Sequence, residues 1–327
     1  VSCRRSWDRV ESMGSMHRRI QWPDGKSFAF TIFDDPDFQG SGSVEPVYAL
    51  LSELGLRTTV SAWPVRGAGR PRIGGVTCED VAYRDWLLDL QRKGFELGLH
   101  NVTYHTSARP ETSDGLERFK ELFGHYPHSM TNHSGCREGM YWGRDRLSGV
   151  HRLVYDLLHP HQSRNEFEGH KPHSPLFWGD LCQEKIRYVR NFTFSDINTL
   201  KACPFMPYQD PERPFVKAWF AGSEGPCVTK FTSILCEENQ DRLVAEGGAC
   251  IMYTHFSQGF VENGRLHKRF EMLMRRLSRL NGWFVPVHTL LDFLATTQTT
   301  HIIPRSDRSH LERRWLLQKV FKTRGRS

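Results

Sequence analysis

The segment Ser27–Asp35, SFAFTIFDD, constrains the fold more than any other part of the chain. Its apolar residues, Phe28–Phe33, run without the alternation of polar and apolar side chains that a half-exposed strand shows. Such a run is typical of a strand buried on both faces, and strands of that kind belong to parallel sheets covered by helices. The segment ends on two adjacent carboxylates, Asp34 and Asp35. Because α/β folds keep their chemistry at the carboxyl ends of their strands, we expect a functional site there.

Strand and helix patterns alternate along most of the remaining sequence, which predicts a parallel sheet with crossover helices. The seven or eight strand candidates favour a closed (β/α) barrel over an open sheet. The segment Gly139–Pro226 is rich in Pro, His and aromatic residues, and its pattern predicts only a helix-to-strand passage over Ile186–Phe194. The other predicted strands are Arg57–Val65, Phe95–His100, Ser129–His133, Ala249–His255 and Trp283–Val287.

The bulk composition is that of a globular protein, with 38% hydrophobic and 25% charged residues. We expect an N-terminal extension over 1–25, a catalytic barrel over 26–296 and a basic tail over 297–327. The first twenty residues lack the apolar region of a secretory signal, and the 8 cysteines form no CxxC pair. These features predict a cytoplasmic protein. The net charge of +7 lies largely at the two ends, and no motif indicates nucleic-acid binding.

Three histidines lie at or just after the ends of other predicted strands, as Asp34 and Asp35 do. His100 ends the strand candidate Phe95–His100, His105 follows in the next loop, and His255 ends the strand Ala249–His255. In a parallel fold these side chains share one rim with Asp34 and Asp35. Two imidazoles and one carboxylate form a ligand set for Zn²⁺ or a similar divalent ion, with positions left open for water and substrate.

The order and spacing of these segments resemble those of the NodB-type polysaccharide deacetylases. The matching segments are FTIFDDPD (30–37), GFELGLHNVTYH (94–105), CIMYTHF (250–256) and RLNGWFVPVHTLLDFL (279–294). The resemblance covers residues 26–295 and implies the distorted seven-stranded barrel of that family. It also implies a hydrolase that acts on carbon–nitrogen bonds other than peptide bonds.

The resemblance implies a role for each matching residue. Asp34 corresponds to the general base, and Asp35 to a metal ligand. His100 and His105 complete the metal site, and His255 corresponds to the general acid. The expected ion is Zn²⁺, with Co²⁺, Mn²⁺ and Fe²⁺ as alternatives.

Two further family motifs have looser counterparts in this chain. Arg137 is the nearest match to the arginine beside the base, with His133 as a rival that contacts substrate. Asp196 corresponds to the acid that orients the catalytic histidine. Asp37 follows the acid pair where the family usually has glycine and proline, and it adds a third carboxylate. The two motif histidines are five residues apart instead of the family's usual four.

These features predict a deacetylase of an N-acetylated sugar, such as a lipid-linked or nucleotide-linked precursor of a surface glycan. Two alternatives stay open: a hydrolase of a cyclic amide or imide, and a carbohydrate-binding relative with impaired catalysis. The tail helix Ser309–Phe321 mixes apolar and basic residues. It predicts either a helix packed on the barrel or weak contact with an anionic membrane surface, at the inner face of the membrane.

Overall fold

The computed structural model describes residues 20–40, 43–68, 73–159, 166–297 and 302–324. Seven parallel strands follow one another around a closed barrel, as the sequence predicts. The barrel closes where the first strand pairs with the seventh, from Ala29 beside Ala249 to Asp34 beside Thr254. The strands are β1 (Phe28–Asp34), β2 (Thr59–Ala62), β3 (Glu96–Leu99), β4 (Ser129–Met130), β5 (Tyr188–Phe194), β6 (Ala218–Glu224) and β7 (Ala249–Thr254).

Further short strands of the described chain lie outside the ring of seven. Strands β8 (Val261–Glu262) and β9 (Arg265–Leu266) form an antiparallel hairpin. Strand β10 (Gly282–Trp283) pairs with the start of β1. Every residue of β1 is buried, because helices cover its outer face and barrel side chains fill its inner face.

Helices surround the barrel, and their apolar stripes generally face it. They are α1 (Glu45–Glu53), α2 (Val81–Arg92), α3 (Arg109–Phe123), α4 (Gly149–Leu158), α5 (Gly179–Lys185), α6 (Thr199–Ala202), α7 (Val228–Ile234), α8 (Glu237–Glu246), α9 (Lys268–Ser278), α10 (Val287–Thr297) and α11 (Arg305–Arg324). Short 3₁₀ turns span Pro23–Gly25 and Gly143–Arg146. Helix α3 ends at Gly124, whose φ of 83° is the left-handed geometry that glycine adopts without strain.

The middle of the chain departs most from the sequence prediction. Segment Gly139–Pro226 contains α4, α5, α6 and two full barrel strands, β5 and β6. Strand β6 has the sequence AWFAGSE and was missed in the sequence, because its small and polar residues break up the apolar pattern. The last predicted strand, Trp283–Val287, is shorter than expected, because helix α10 already begins at Val287.

The basic tail folds back onto the protein as α11. Its apolar residues Leu311, Trp315 and Leu316 are buried, which is the packed alternative of the two that the sequence allows. These side chains are therefore not available to a membrane. The predicted N-terminal extension lies mostly outside the described residues, and the predicted domain boundaries stay predictions. No helix in the described ranges has the length and hydropathy needed to cross a bilayer.

Candidate metal and catalytic site

The carboxyl ends of four barrel strands meet at one rim, as expected for parallel strands. Strand β1 leads to Asp35 and Asp37, and β3 leads directly to His100. Strand β4 is followed shortly by His133, and β7 is followed by His255. All these residues except His255 are buried in the mouth of the barrel.

Three ligand atoms converge at this rim. Asp37 Oδ1 lies 3.2 Å from His100 Nε2 and 3.5 Å from His133 Nε2. All three side chains are buried, and their ligand atoms lie within 4.8 Å of one another. None of the three atoms has a hydrogen-bond partner among the described residues. Buried polar atoms without partners are costly, so this convergence indicates a site built for a bound group.

The protonation states of Asp37 and His133 suit the binding of a cation. Burial alone would raise the pKa of Asp37, but the imidazoles of His100, His255 and His133 lower it well below its ordinary value. Burial, reinforced by His100, lowers the pKa of His133 to about 4, so that ring is neutral at pH 7. An ionised carboxylate and a neutral imidazole are the forms that coordinate metals.

A hydrogen-bond relay fixes the tautomer of His100. The Thr131 hydroxyl donates to Asp35 Oδ1 at 2.8 Å and lies 2.7 Å from His100 Nδ1. Since the single hydroxyl proton is given to the carboxylate, His100 Nδ1–H is the donor to Thr131. The lone pair of His100 therefore lies on Nε2, which faces Asp37. Such outer contacts orient histidine ligands in metal sites.

The other ring nitrogen of His133, Nδ1, has polar contacts that hold the ring in place. The Gly135 N–H donates to Nδ1 at 3.2 Å, and Cys136 Sγ lies 3.4 Å from the same atom. A neutral ring that accepts at Nδ1 carries its proton on Nε2. Coordination of a cation at Nε2 would need the other neutral tautomer, with the proton on Nδ1. Cys136 Sγ is then the acceptor within reach of Nδ1, and the Gly135 N–H would lose its acceptor.

Asn101 ties the two histidine loops together. Its φ of 57° turns the chain sharply directly after His100. Its side-chain Oδ1 accepts the His133 N–H at 2.8 Å, and its Nδ2 donates to the buried Glu138 at 2.9 Å. The position of His133 relative to His100 is therefore set by a side chain, in a region without regular secondary structure.

The two adjacent acids face opposite sides of the barrel wall. Phe33 points into the barrel, where its ring lies 6.1 Å from that of Phe220. Successive residues of a strand alternate in direction, so Asp34 points outward and Asp35 inward. Asp34 accordingly accepts hydrogen bonds from Tyr48 of α1 at 2.9 Å and from the Phe256 N–H at 2.8 Å. One of its oxygens thus contacts helix α1, and the other contacts the loop that follows β7.

Asp35 lies inside the mouth and is paired with a buried arginine. Arg190 Nη2 donates to Asp35 Oδ2 at 2.7 Å, and both side chains are almost fully buried. The guanidinium also lies 4.1 Å from the centre of the Tyr253 ring and 5.6 Å from that of Phe33. The arginine holds the Asp35 side chain beside the ligand group.

His255 approaches the group from β7. Its Nδ1 lies 2.9 Å from the Pro226 carbonyl, which can only accept, so Nδ1 carries a proton. Its Nε2 faces the mouth and lies 3.2 Å from Asp37 Oδ2. Burial would lower the pKa of His255, but Asp37 and Asp35 raise it above its ordinary value.

His105, which the sequence places among the metal ligands, lies outside the converging group. Its ring contacts Thr103 at 2.9 Å and Glu111 at 3.4 Å. The ring packs so closely on the neighbouring loop that a Cβ at Gly67 would clash with it.

Two supporting residues expected at the site also lie elsewhere. Arg137 pairs with Glu168 at the surface. Asp196 pairs with Arg242 and Arg314 at 3.2 and 3.4 Å. The Pro226 carbonyl, in place of Asp196, is the group that orients His255.

Two residues at the site were missed in the sequence. Arg190 stands alone as a charge inside the apolar strand YVRNFTF, and that isolation was an available signal, because buried charges need partners. Thr131 gave no signal, because threonine is common in strands. His133, expected only as a rival for a substrate contact, is one of the three converging ligands.

The donor set fits a divalent ion. One carboxylate and two imidazoles are donors that suit Zn²⁺ and also Fe²⁺, Co²⁺ or Mn²⁺. The three unpartnered ligand atoms are the structural observation in favour of such an ion. Their geometry brings together Asp37, His100 and His133, in place of the expected set Asp35, His100 and His105.

No family model matches the chain, and no curated protein matches it. Among solved structures, a proposed polysaccharide deacetylase from Mycobacterium smegmatis is similar, with 11% identity and a TM-score of 0.47 over 88% of this chain and 97% of that one. Puue allantoinase has 12% sequence identity and a TM-score of 0.48, over 88% of this chain and 96% of that one. The catalytic domain of peptidoglycan N-acetylglucosamine deacetylase from Eubacterium rectale has 9% sequence identity and a TM-score of 0.37. The match covers 87% of this chain and 96% of that one. Polysaccharide deacetylases are the family that the sequence resembles.

Proposed function

We propose that this protein is a metal-dependent deacetylase that hydrolyses the N-acetyl group of an N-acetylated sugar. The observation that carries the proposal is the convergence of three buried, unpartnered ligand atoms from Asp37, His100 and His133. Asp35 and His255, a candidate base and a candidate acid, lie directly beside them. Amide hydrolysis by a metal-dependent enzyme uses a metal site with a general base and a general acid beside it.

Asp37 and Asp35 have different roles because they lie at different positions in the site. Asp37 holds the ion with His100 and His133, while Asp35 lies 3.7 Å from His100 Nδ1 and faces the mouth. We assign the role of general base to Asp35, because it is the inward-facing acid. Arg190 binds its Oδ2, and its Oδ1, which accepts from the Thr131 hydroxyl, is the oxygen that would receive the proton. Asp34, the base expected from the sequence, faces the helix layer and is given a structural role.

A divalent ion bound there would lower the pKa of a water molecule and polarise the acetyl carbonyl. Asp35 would accept the proton of the attacking water. His255 would give a proton from Nε2 to the departing sugar nitrogen, so that the amine leaves in a neutral form. The hydrogen bond from Nδ1 to the Pro226 carbonyl keeps the ring oriented during this transfer. Water and the N-acetyl group are consumed, and acetate and the free amine are formed.

Phe38 is an exposed aromatic residue that lies close to the ligand group in the chain. It follows Asp37 directly, its side chain is 54% exposed, and its backbone has a φ of 60°, which is uncommon for a residue with a side chain. An exposed aromatic ring held beside a catalytic site suits the apolar face of a sugar ring. We assign it a role in substrate binding.

Acetate release from oligomers of N-acetylglucosamine tests the proposal. The purified protein, loaded with Zn²⁺, is expected to release acetate, and a chelator is expected to abolish the release. The Asp35→Asn variant serves as the inactive control. Absence of acetate release from every N-acetylated sugar tested, with the metal bound, would contradict the proposal.

The two alternatives give different results in the same experiment. A cyclic amide or imide hydrolase opens a ring and releases no acetate, so a panel of cyclic amides is assayed in parallel. A carbohydrate-binding relative retains the oligomers without cleaving them, which calorimetry of sugar binding would detect.

A further inference from the structure

Arg146 is a buried cation that has no ionic partner among the described residues. It ends the short 3₁₀ turn Gly143–Arg146 and is 8% exposed. No ion pair or side-chain hydrogen bond joins its guanidinium to another described residue, and its Nε is buried without an acceptor. A buried charge is costly unless an anion offsets it. The position of Arg146 therefore calls for an anion from outside the described chain.

The two tryptophan rings that contact Arg146 do not supply a hydrogen-bond acceptor. The guanidinium carbon, Cζ, lies 3.2 Å from the centre of the Trp142 ring and 5.3 Å from that of the Trp315 ring. Such cation–π contacts stabilise the positive charge, but they leave the N–H donors of the guanidinium without acceptors. A planar fork of open N–H donors matches two oxygens of a carboxylate or a phosphate.

A second guanidinium with open donors, that of Arg190 on β5, lies near Arg146. Nη2 of Arg190 donates to Asp35, but its Nε and Nη1 are buried and have no acceptor among the described residues. Burial lowers the pKa of Arg146 to about 9, and the nearby charge of Arg190 adds to this shift. The Trp315 ring, which contacts Arg146, also lies 5.6 Å from the ring of Phe192 on the same strand as Arg190. Two buried like charges repel each other, and a bound anion would relieve this repulsion.

The two arginines lie at the mouth of the barrel that holds the metal ligands. The guanidinium of Arg190 lies 4.1 Å from the centre of the Tyr253 ring, and Tyr253 is also close enough to Arg146 to affect its pKa. The Tyr253 hydroxyl lies 3.2 Å from Nε2 of His255, the candidate acid. A group bound by both arginines would therefore lie beside the reacting end of a substrate.

The positive charge of the two arginines is not offset within the described mouth once an ion is bound. Glu224, which also lies near Tyr253, already pairs with Lys319 at 3.3 Å. The two carboxylates of the candidate site carry together the charge that one divalent ion neutralises. With the ion in place, the charges of Arg146 and Arg190 remain, and a cleft with such an excess attracts anions.

We propose that Arg146 and Arg190 form an anion subsite beside the metal site, and that it binds a carboxylate or phosphate group carried by the sugar substrate. The proposal rests on the proposed function, and it narrows the substrate from N-acetylated sugars in general to acidic ones. Sugar acids and sugar phosphates share the chemistry that the subsite recognises, an oxyanion with at least two oxygens for the guanidinium donors.

Calorimetry with sugars that lack an N-acetyl group tests the subsite independently of the reaction. The Zn²⁺-loaded wild-type protein is titrated with glucose, glucose 1-phosphate, glucose 6-phosphate and glucuronic acid. At least one acidic sugar is expected to bind at least about tenfold more tightly than glucose, because hydrogen bonds from arginine to an oxyanion are stronger than neutral ones. Tightest binding of a phosphate ester identifies phosphate as the ligand group, and tightest binding of glucuronic acid identifies carboxylate.

Substitution of Arg146 separates binding at the subsite from binding to the metal ion. Arg146→Gln is expected to lose the preference for the acidic sugar. Its melting temperature is expected to stay level or rise, because a buried charge without a partner is removed. Arg146→Lys keeps the charge without the planar fork, and we expect it to retain only part of the preference.

Arg144→Gln is the matched control for the change of charge. It removes one positive charge from the same 3₁₀ turn, but the guanidinium of Arg144 pairs with Asp156. We expect this variant to prefer the acidic sugar as strongly as the wild type does. An equal loss of the preference in the Arg144 and Arg146 variants would show a general effect of charge and would contradict a subsite.

Acetate release connects the subsite to the proposed reaction. The value of kcat/KM is expected to be at least about tenfold higher for the 1-phosphate or 6-phosphate of N-acetylglucosamine, or for N-acetylmuramic acid, than for N-acetylglucosamine. Arg146→Gln is expected to bring this ratio close to one. If no sugar releases acetate while the acidic sugars still bind through Arg146, the proposed function fails and the subsite stands.

Three results would overturn the subsite. The first is equal affinity of the wild-type protein for glucose and for the three acidic sugars. The second is a preference for an acidic sugar that Arg146→Gln retains, since the anion would then bind elsewhere, for example at the metal ion. The third is a large fall in melting temperature, or a failure to fold, in Arg146→Gln, which would show that the cation serves the fold.

Discussion

Asp34 and Asp35 are neighbours in the chain, but Asp34 binds Tyr48 on the helix layer and Asp35 binds Arg190 inside the barrel. The alternation of side chains along β1 imposes this separation. In this chain the two adjacent acids therefore have different hydrogen-bond partners on different sides of the barrel wall. The inward acids are Asp35 and, after the turn, Asp37.

The first prediction compares the two neighbouring acids by the same substitution. Asp35→Asn is expected to lower kcat by roughly 10²–10⁴-fold, because the proton acceptor is lost. Asp34→Asn is expected to keep kcat within about threefold, since the amide oxygen still accepts the Phe256 N–H. Steady-state acetate release measures both. Loss of turnover in Asp34→Asn, with a normal melting temperature and bound metal, would show that Asp34 is the general base.

The second prediction concerns stability and pH at Asp34. Burial raises its pKa from 3.8 to about 7, against the opposing hydrogen bonds from Phe256 and Tyr48. Between these two pKa values the folded state keeps a proton that the unfolded state has lost, so the free energy of unfolding falls as the pH rises. Asp34→Asn removes this contribution. Urea unfolding at several pH values is expected to show a stability difference that shifts in favour of the variant as the pH rises through this range. A pH-independent difference would contradict the assignment.

Much of the fold was predictable, and the site was predictable in part. The alternation of buried strands and helices predicted the barrel, because a continuous apolar run of this length is typical of a strand covered on both faces. His100 and His255 were placed on the correct rim because each directly follows a strand. The contacts of Asp37 and His133 lie in loops, where side-chain direction depends on turns such as the left-handed Asn101. No periodicity in the sequence encodes such a turn.

The third prediction concerns His255. We expect His255→Gln to lower kcat by about 10²-fold or more, since the leaving amine loses its proton donor. Metal content is expected to stay at the wild-type level, because Asp37, His100 and His133 form the ligand group without it. A substrate with a better leaving group is expected to lose less activity in this variant than an N-acetylated sugar does. Equal losses for both substrates would argue for a structural role.

The fourth prediction concerns Phe38. Phe38→Ala is expected to raise KM for N-acetylated oligomers by roughly three- to tenfold with little change in kcat, because an aromatic contact contributes about 0.5–1.5 kcal/mol. Phe38→Tyr keeps the ring and serves as the matched control. If kcat falls while KM is unchanged, the ring does not act as a binding surface.

The metal content of matched variants tests most directly whether Asp37, His100 and His133 hold a divalent ion. After dialysis against Zn²⁺, elemental analysis of the wild-type protein is expected to find about one ion per chain. Asp37→Ala and His133→Asn are expected to lose it, while His105→Asn keeps it. If His105→Asn loses the ion and His133→Asn retains it, the ligand set proposed from the structure is wrong.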